Sequence, residues 1–558
     1  MIENWSAKNE TPELESIRGG EKEFVDERGR ISNYELPEAV NLIGLITSHK
    51  ETVRANHFHP IQEQKCLLVS GEYISVTQDL AVPNALVETR LVRAGDLSVI
   101  KPNVAHAMVF TQDSVFLNLV RGERAHENYG ITHTMPFVLV DEAMGKLLVK
   151  SYKTQCRVCG NTKLQHVLSL GNSPLANNLL NSPNEETEKY PLEMKYCPEC
   201  HNCQLSCVVP PHKMFDNYLY VSSMMASFRK HFEDAARKYI ERFGLSKDSF
   251  VIDIGSNDGI ALKPFKEHGI RVLGIEPAGN VAKIANERGI TTMHAYFDHE
   301  QVSHIIETRG RANIVTASNV FAHADDLQSI ATGAFRLLKE RGVFIIEVQY
   351  LLDTLNDLTF DNIYHEHVNY WSVTSLNNFF ERLGFKITDV EHIDTHGGSI
   401  RVYAQKRGAT VKPSVRSFLM KEKECGLLDF NTYKRFAEKV ETRKRRFKKN
   451  LDTLKANSNR IVGYGSPAKA TTALNYFGIS NDQIDFIVED NPLKQGKYLP
   501  GINIPIKGKD ALKVLGPNDV VIILAWNFAK EIVANNQELE KRGVRFISIK
   551  DLEKENLP

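Results

Sequence analysis

The pattern of apolar and polar positions divides the chain into regions of different character. Residues 20–140 alternate short β-rich runs with turns, among them "CLLVSGEYISVTQD" and "AHAMVFTQDSVFLNLV", and no long helical pattern interrupts them. Short strands at this spacing predict a small all-β barrel or sandwich. Residues 150–210 hold most of the cysteines and have little periodicity.

From residue 226 onward, helical segments alternate with apolar runs of strand length. "ASFRKHFEDAARKYIERFG" has the helical period and ends in glycine, which predicts a helix from 226 to about 245. Runs such as "FVIDIG", "RVLGIEP" and "VFIIEVQ" then alternate with helices, and a second βαβ pattern begins after residue 460. Such alternation predicts doubly wound parallel sheets. The basic helical stretch at 413–457 is interpreted as a solvated helix face.

Length, charge and cysteine usage narrow the class of protein. A chain of 558 residues is too long for one core and predicts three or four domains. Lys+Arg and Asp+Glu both number 69, which argues against nucleic acid or an anionic membrane as the main partner. The polar start and the lack of an apolar run near about 18 residues predict neither a signal peptide nor a membrane span. We therefore expect a cytoplasmic protein.

"VIDIGSNDGIAL" at 251–262 predicts a strand, a glycine turn and a helix start. The spacing is neither the dinucleotide G-x-G-x-x-G nor a phosphate loop. Glu276 ends the next strand, where a carboxylate can accept both hydroxyls of a ribose. Together these features resemble class I S-adenosylmethionine (SAM) methyltransferases, and an NAD-binding unit is the weaker alternative because the third glycine is missing.

The resemblance to SAM methyltransferases implies a set of cofactor-binding residues. Glu276 and Pro277 follow the second strand, and Asn319 and His323 follow the fourth strand, where the methyl-donor end of SAM lies in such folds. The expected loop contacts are Asp253, Gly255, Ser256, Asn257 and Gly259.

Two C-x2-C pairs, Cys156 with Cys159 and Cys197 with Cys200, predict a zinc site. Four thiolates satisfy tetrahedral zinc and leave no open position for catalysis, so the expected role of the metal is structural. Paired cysteines in a chain without a secretion signal favour metal binding over disulfides. "CPECHNCQLSC" also offers Cys203 and Cys207, and their role stays open.

Several motifs in a fixed order resemble the sugar C-methyltransferases that make branched deoxysugars. These motifs are the cysteine pairs, "YLYVSSMMASFRKHF", "VIDIGSNDG", "YHEHVNYWS", "THGGSIRVY" and "GYGSPAKATTALNYFG", over roughly residues 150–558. The resemblance implies methyl transfer from SAM to C-3 of a nucleotide-linked 4-keto-6-deoxyhexose. The predicted domains are a cupin (1–145), a zinc module (146–210), an α/β class I methyltransferase domain (211–410) and an α/β Rossmann-like domain that binds substrate (411–558).

The resemblance also implies roles for the "YHEH" motif. His367 is similar to the general base that removes the C-3 proton, a role that suits an imidazole near neutral pH. Tyr364 would donate to the C-4 oxygen as negative charge develops there. Glu366 would orient a partner histidine or bind the sugar, and His323 would pair with this group. His365 is expected to point away and to be structural.

Five further residues are predicted to bind the substrate. Tyr218 and Tyr220 of "YLYVSS" would flank the sugar. Ser399 and Arg401 of "THGGSIR", with Lys469 of "GYGSPAK", suit a nucleotide diphosphate. Each of these glycine motifs is weak by itself.

The N-terminal region carries a second candidate site. His57, His59 and Glu63 form an H-x-H-x3-E pattern, and His106 lies in "GDLSVIKPNVAHAMVF". These stretches resemble the two cupin motifs, which suit a divalent metal such as Zn, Ni, Mn or Fe. The alternative is a metal-free cupin similar to 4-ketosugar epimerases and isomerases, where a histidine is a base. A domain that only forms a homodimer or binds sugar is a further alternative.

The leading hypothesis is therefore a SAM-dependent sugar C-methyltransferase that holds zinc. One alternative is a bifunctional enzyme whose cupin epimerises or isomerises the same sugar. Another is a non-catalytic scaffold that binds sugar nucleotides. The sequence leaves open the nucleotide, the hexose, the oligomeric state and whether the cupin holds a divalent metal.

Overall fold

The computed structural model describes residues 16–18, 24–26, 29–31, 34, 36, 40–82, 85–120, 134–216, 222–224, 226–395, 397–406 and 408–554. The chain divides into two compact units. The first is made up of the segments Met1–Thr154 and Ser169–Asn172, and the second of Gln155–Leu168 and Ser173–Pro558. No helix in the described ranges combines the length and the apolar character that a membrane span requires.

The first unit is built from two five-stranded antiparallel sheets. In spatial order, one sheet contains Ser16–Arg18, Asp96–Ile100, Gln64–Ser70, Ser114–Val120 and Leu42–Ser48. The other contains Met135–Pro136, Val53–Phe58, Val104–Phe110, Glu72–Asp79 and Glu88–Arg93. Phe24–Asp26 and Gly29–Ile31 form a separate hairpin, and one helix, Glu142–Ser151, follows. The all-β character predicted from the short alternating strands is confirmed.

The second unit begins with a small cysteine-rich module. Its strand Lys189–Tyr196 pairs with Cys203–Leu205, and Cys203–Leu205 pairs in turn with Asn369–Tyr370 from a distant part of the chain. Both pairings are antiparallel. The strand Gln165–Pro174 and the short helix His212–Phe215 also belong to this stretch of sequence.

The centre of the second unit is a seven-stranded sheet. Its strands, in spatial order, are Thr292–His294, Arg271–Glu276, Phe250–Ile254, Ala312–Ser318, Leu338–Gln349, Ser399–Lys406 and Phe385–Ile393. The first five run parallel, and the last two are antiparallel to their neighbours. The helices are Ala226–Phe243, Lys263–Glu267, Gly279–Glu287, His299–Arg309, Leu327–Leu337, Leu351–Asn356 and Val373–Arg382.

The sequence of this central region explains why it folds in this way. All five residues of Phe250–Ile254 are buried, as expected for a parallel strand covered on both faces. The helix Ala226–Phe243 buries Phe232, Ala235, Ala236 and Tyr239 at helical spacing, and Gly244 follows it with a φ of 57°. The predicted helix and doubly wound sheet are both confirmed.

The C-terminal part contains a smaller, fully parallel sheet of five strands. In spatial order the strands are Ile506–Lys507, Ile487–Val488, Ile461–Tyr464, Val520–Ile523 and Arg545–Ser548. The helices are Pro413–Glu424, Phe430–Asn457, Ala468–Phe477, Ala529–Ala534, Gln537–Lys541 and Ile549–Leu552. The second βαβ pattern in the sequence is therefore a Rossmann-like sheet.

Candidate active site and metal centres

Four cysteines converge in the cysteine-rich module. Sγ of Cys156 lies 3.5 Å from Sγ of Cys200, and Sγ of Cys159 lies 3.5 Å from Sγ of Cys197. All four sulfur atoms are within 4.8 Å of one another. Thiolates bound to zinc at about 2.3 Å in a tetrahedron are about 3.8 Å apart, so this donor set fits zinc.

The two cysteine pairs adopt the same turn. In each, the N–H four residues after the first cysteine donates to that cysteine's carbonyl: Gly160 to Cys156 at 2.8 Å and His201 to Cys197 at 2.9 Å. Gly160 and His201 have φ angles of 76° and 59°. The two pairs are therefore built alike, as expected of the two halves of one four-thiolate zinc site.

Cys203 and Cys207 lie outside this four-sulfur group among the described residues. Both are fully buried. Cys203 is on the strand that pairs with Tyr370, and burial raises the pKa of its thiol. Their side chains therefore contribute to packing beside the metal centre.

The glycine turn after Phe250–Ile254 requires glycine at two positions. Gly255 has a φ of 66°, and a Cβ there would collide with Val320. Gly259 has a φ of 80°, and a Cβ there would lie 2.9 Å from Ile290. The turn is thus a close-packed loop whose backbone can approach a ligand.

The carboxylate of Glu276 faces this turn. Its Oε2 accepts from the Asn257 N–H and its Oε1 from the Ala278 N–H, both at 2.8 Å. A carboxylate offers about four acceptor positions, so one remains on each oxygen, which fits the two hydroxyls of a ribose. Burial raises the pKa of Glu276. Asp253 accepts from Thr316 Oγ1 at 2.6 Å, and burial raises its pKa to about 7.

The other predicted cofactor residues lie around the same loop. The carbonyl of Pro277 accepts from His294 Nε2 at 3.0 Å, and the N–H of Asn319 donates to the Glu347 carbonyl at 2.7 Å. The side chain of Ser256 differs, because its hydroxyl packs against Gly274 in the sheet. Ser256 is therefore a packing residue of the loop through its side chain.

The "YHEH" motif forms a tight turn after the 3₁₀ helix Phe360–Asn362. The His367 N–H donates to the Tyr364 carbonyl at 2.8 Å, which brings the two side chains together. Nδ1 of His367 lies 2.8 Å from the Asn362 carbonyl, and Nε2 lies 2.8 Å from the Tyr364 hydroxyl. Because a carbonyl only accepts, Nδ1 carries the proton and Nε2 accepts from Tyr364.

The structure places His323 beside this pair. Its ring centre is 5.1 Å from that of His367, and Phe215 stacks on it at 5.8 Å. Burial lowers the pKa of His323 to about 4, so this imidazole is neutral near pH 7. The group thus offers one polarised imidazole, one phenol and one neutral imidazole.

The remaining two residues of the motif point elsewhere. Glu366 Oε1 accepts from Asn177 Nδ2 at 2.5 Å. The charge of the Glu366 carboxylate also raises the pKa of Lys494, against the effect of burial. His365 is buried, and its Nε2 donates to the Tyr190 carbonyl at 3.2 Å. Burial lowers the pKa of His365 to about 4.

The predicted substrate residues are not all equally placed to meet a ligand. Ser399 is fully buried and donates to the Thr395 carbonyl at 3.1 Å. Arg401 donates to the Glu347 carboxylate through Nη2 at 2.8 Å and Nε at 3.1 Å, so its charge is already paired. Tyr218 and Tyr220 lie outside the described residues.

Lys469 belongs to a cluster that the sequence reasoning did not identify. Its Nζ lies 4.6 Å from the ring centre of Trp526, and burial lowers its pKa to about 8. Trp526 Nε1 donates to Asp361 Oδ2 at 2.7 Å, and Lys550 lies 3.2 Å from Asp361 Oδ1. One indication of this cluster was present in the sequence: Asp361 stands at the start of "DNIYHEH", the stretch that contains the proposed base.

The first unit contains a separate cluster of histidines. His57 and His106 are cross-strand partners, and ring centres of His57, His59 and His106 are 4.6 to 5.4 Å apart. One nitrogen of each lies within 4.8 Å of the others. Glu63, predicted as a fourth ligand, forms an ion pair with Lys65 at 2.6 Å and is not in this group. Three imidazoles suit a divalent metal or an acid–base role.

Comparison with known proteins gives three family matches. Residues 394–549 match the family described as C-methyltransferase C-terminal domain, residues 228–390 that described as methyltransferase domain, and residues 156–215 a zinc binding domain.

Similar proteins include the C-methyltransferase NovU of Streptomyces niveus, 36% identical over 397 residues that cover 70% of this chain and 94% of that protein. The ubiquinone biosynthesis O-methyltransferase of Rhodopseudomonas palustris (strain TIE-1) is 28% identical over 141 residues, 25% of this chain and 53% of that protein. Among solved structures, dTDP-4-dehydrorhamnose 3,5-epimerase from Sulfolobus tokodaii covers 22% of this chain and 79% of its own, with 19% identity and a TM-score of 0.18.

Proposed function

The chain belongs to the SAM-dependent C-methyltransferase family, and we propose that it methylates C-3 of a nucleotide-linked 4-keto-6-deoxyhexose. The observation that carries this proposal is the hydrogen-bond chain from Tyr364 through His367 to the Asn362 carbonyl. A phenol and an oriented imidazole side by side suit removal of a proton next to a ketone.

The proposed first step forms an enolate. The C-3 proton moves to Nε2 of His367 while the Asn362 carbonyl keeps the Nδ1 proton in place. For Nε2 to be accessible, the Tyr364 hydroxyl turns from the imidazole to the C-4 oxygen of the sugar. There it stabilises the negative charge that develops on that oxygen. The neutral His323 packs beside the imidazole and limits its movement.

SAM, when bound, supplies an electrophilic methyl group, which the C-3 electron pair takes as the sulfonium leaves as a thioether. Glu276 would hold the ribose hydroxyls, because each of its oxygens keeps one acceptor position. Asp253, Asn257, Pro277 and Asn319 would form the walls of the pocket. Gly255 and Gly259 would let the backbone come close, and Ser256 would pack the loop from below.

The substrate's nucleotide would be held near the turn that contains His367. Lys469 and Lys550, which lie 4.6 and 5.2 Å from the centre of the Trp526 ring, suit a diphosphate. Glu366 would position the sugar through Asn177. Arg401 and Ser399 are better suited to holding Glu347 and the Gly397–Gly398 turn than to contacting phosphate directly.

The test of the function uses the full chain, SAM and a panel of nucleotide 4-ketosugars. The expected result is a product heavier by one CH2 unit, with the new methyl group assigned to C-3 by NMR. In deuterated water without SAM, the C-3 proton should exchange. Methylation at an oxygen, or at a carbon other than C-3, would contradict the proposal.

The histidine cluster of the first unit supports a second activity, epimerisation or isomerisation of the same sugar. His59 and His106 are buried, and both contact His57 through ring edges or faces. His57→Asn in the full chain should remove any exchange of sugar protons other than the C-3 proton. If the parent protein exchanges no other proton and binds no divalent metal at this cluster, the unit serves only assembly or binding.

Two broader expectations remain predictions. The clustered C-x2-C pairs favour metal binding over disulfides, which suits a reducing compartment, the cytoplasm. A homodimer formed through the first unit is tested by light scattering of the full chain.

A further inference from the structure

The C-terminal sheet repeats the construction of the proposed SAM site. In both sheets, the glycine after the first strand donates its N–H to the residue just before a strand-end glutamate. Gly255 donates to Ile275 at 2.8 Å, and Gly465 donates to Val488 at 2.7 Å. Glu276 and Glu489 are the glutamates that follow.

The two glutamates make the same backbone contacts. In each case one carboxylate oxygen accepts from the glycine turn and the other accepts from the residue two positions later. For Glu489, these donors are Ser466 N–H at 2.9 Å and Asn491 N–H at 3.0 Å. For Glu276, they are the N–H groups of Asn257 and Ala278.

The glycines are fixed in the same way. Gly255 and Gly465 have φ angles of 66° and 87°. A Cβ on Gly255 would collide with Val320, and a Cβ on Gly465 would collide with Ala525. Val320 and Ala525 each follow the strand on the other side of the glycine strand. Ligands in open parallel sheets bind at this point, where the connections diverge to the two sides.

One contact differs between the two sites. The Ser466 hydroxyl donates to Oε2 of Glu489 at 2.6 Å, in addition to the Ser466 N–H on the same oxygen. Both acceptor positions of Oε2 are therefore used, and Oε1 keeps one beside its bond from Asn491. Glu276 keeps one position on each oxygen.

We propose that Glu489 binds the sugar ring of the substrate's nucleoside and accepts one ring hydroxyl, where Glu276 accepts two. This proposal rests on the proposed function, since it names how the nucleotide of that substrate is held. A nucleoside that offers only a 3′ hydroxyl satisfies Glu489 fully. A 2′ hydroxyl gains no partner there.

The position of Glu489 agrees with this role. It is partly exposed at the carboxyl end of its strand, while the preceding Val488 is fully buried. Nζ of Lys494 donates to the Ser466 carbonyl at 2.8 Å. The negative charges of Glu489 and Glu366 both attract this ammonium group and oppose the lowering of its pKa by burial. The Glu489 site thus lies close to the turn that holds the proposed base.

The test is nucleotide binding without turnover, measured by calorimetry on the full chain with saturating S-adenosylhomocysteine. The probes are ADP, CDP, GDP and UDP, each paired with its 2′-deoxy analogue, and TDP. In the parent protein the best ribonucleotide and its deoxy analogue should bind with affinities within about twofold of each other.

Glu489→Gln and Glu276→Gln make a matched pair, because the same change is made in two sites of the same construction. Glu489→Gln should weaken binding of the nucleoside diphosphate by about tenfold or more and leave S-adenosylhomocysteine affinity unchanged. Glu276→Gln should weaken binding of S-adenosylhomocysteine and leave the affinity for the nucleoside diphosphate unchanged. Unchanged diphosphate binding in Glu489→Gln, with methylation of the substrate intact, would overturn the inference alone.

Ser466→Ala keeps the test decisive if Glu489→Gln fails to fold. Removing the hydroxyl opens a second acceptor position on Oε2, so the ribonucleotide should gain several-fold over its deoxy analogue. An unchanged ratio would contradict the proposal. If the parent protein binds none of these diphosphates, the nucleotide-linked substrate of the proposed function is itself wrong.

Discussion

At the scale of single residues, the hydrogen bond between Tyr364 and His367 links the two halves of the proposed chemistry. The tyrosine hydroxyl donates to Nε2 of His367, the atom that has to receive the C-3 proton, so the two events are coupled. A substrate carbonyl that attracts the tyrosine hydroxyl also exposes the base. Proton removal should therefore depend on the 4-keto group both electronically and sterically.

His367→Asn should abolish C-3 proton exchange and methylation together, because a lost general base costs about 10²–10⁴-fold in rate. Binding of S-adenosylhomocysteine should be unchanged, since His367 lies outside the Glu276 contacts. NMR in deuterated water measures the exchange. Exchange at the parent rate in a protein that also carries His57→Asn would assign the base to a group other than His367.

Tyr364→Phe should slow exchange and methylation by a similar factor, about 10²–10³, the usual effect of removing one donor to a developing oxyanion. The variant leaves Nε2 of His367 uncovered, so the base itself is intact. Rates of both steps on one substrate test this. A variant that exchanges the proton normally but fails to transfer the methyl group would place Tyr364 in the second step only.

His365 should make stability depend on pH. Its pKa falls to about 4 in the folded protein, whereas the unfolded chain binds this proton near pH 6.5. Stability is therefore fully present above about pH 6.5 and is lost as pH falls toward 4, by up to about 1.4 kcal/mol per pH unit. His365→Gln, which can still donate to the Tyr190 carbonyl, should flatten this slope. Urea unfolding at several pH values measures the free energy of unfolding, and equal slopes would contradict the assignment.

Residue roles were predictable from sequence only where chemistry and spacing agreed. Glu276 and the four cysteines were recognisable as candidates in the sequence, because a strand-end acid after a glycine turn and a pair of C-x2-C motifs each suggest one kind of site. Arg401 shows the opposite case. Its motif suits phosphate, but the cross-strand pairing of Glu347 with Arg401 buries the two side chains together. The sequence alone does not show which acidic side chain forms an ion pair with a given arginine.

At the scale of the element, the glycine turn should be intolerant of any side chain. Gly255→Ala should cost more than the roughly 1–2 kcal/mol of the left-handed backbone, since its Cβ also collides with Val320. Gly384→Ala is the matched control, because Gly384 has a φ of 84° and no atom within 4 Å of its Cβ position. Gly255→Ala should weaken S-adenosylhomocysteine binding, and Gly384→Ala should not. Equal thermal shifts and affinities would show that the turn is looser than described.

The pattern of strands and helices was predictable for the long elements and not for the short ones. Phe250–Ile254 and Ala226–Phe243 carry enough periodic residues to be recognised. Ile487–Val488 has two residues, too few for any period, so Glu489 could not be recognised as a strand-end acid. The duplicated site became visible only through backbone hydrogen bonds.

At the scale of the whole molecule, the zinc centre should stabilise more than its own module. Cys156→Ser should remove one equivalent of zinc and lower the melting temperature, because binding energy of a structural metal is folding energy. Cys425→Ser, at an exposed cysteine, is the matched control and should change neither. Metal analysis and calorimetry measure both effects. Full zinc content in Cys156→Ser would move the site to other ligands.

The order of the all-β and α/β regions was predictable from the sequence, but one strand pairing was not. The all-β unit, the cysteine pairs and the two α/β regions appear in order along the chain. The pairing of Cys203–Leu205 with Asn369–Tyr370 joins segments far apart in sequence, and no local pattern indicates it. Arg157 strengthens this link by donating to the carbonyls of Leu205 and Val368.

Because of this pairing, we expect methyl transfer to depend on bound zinc. Asn369 follows His367 by two positions, so a cell starved of zinc would produce enzyme whose metal-free sheet no longer holds the turn of the proposed base. The loss would occur although no reacting group touches the metal. The amount of methylated product would then follow the zinc supply of the cell, and restoring zinc to the purified apoprotein should restore turnover without new synthesis.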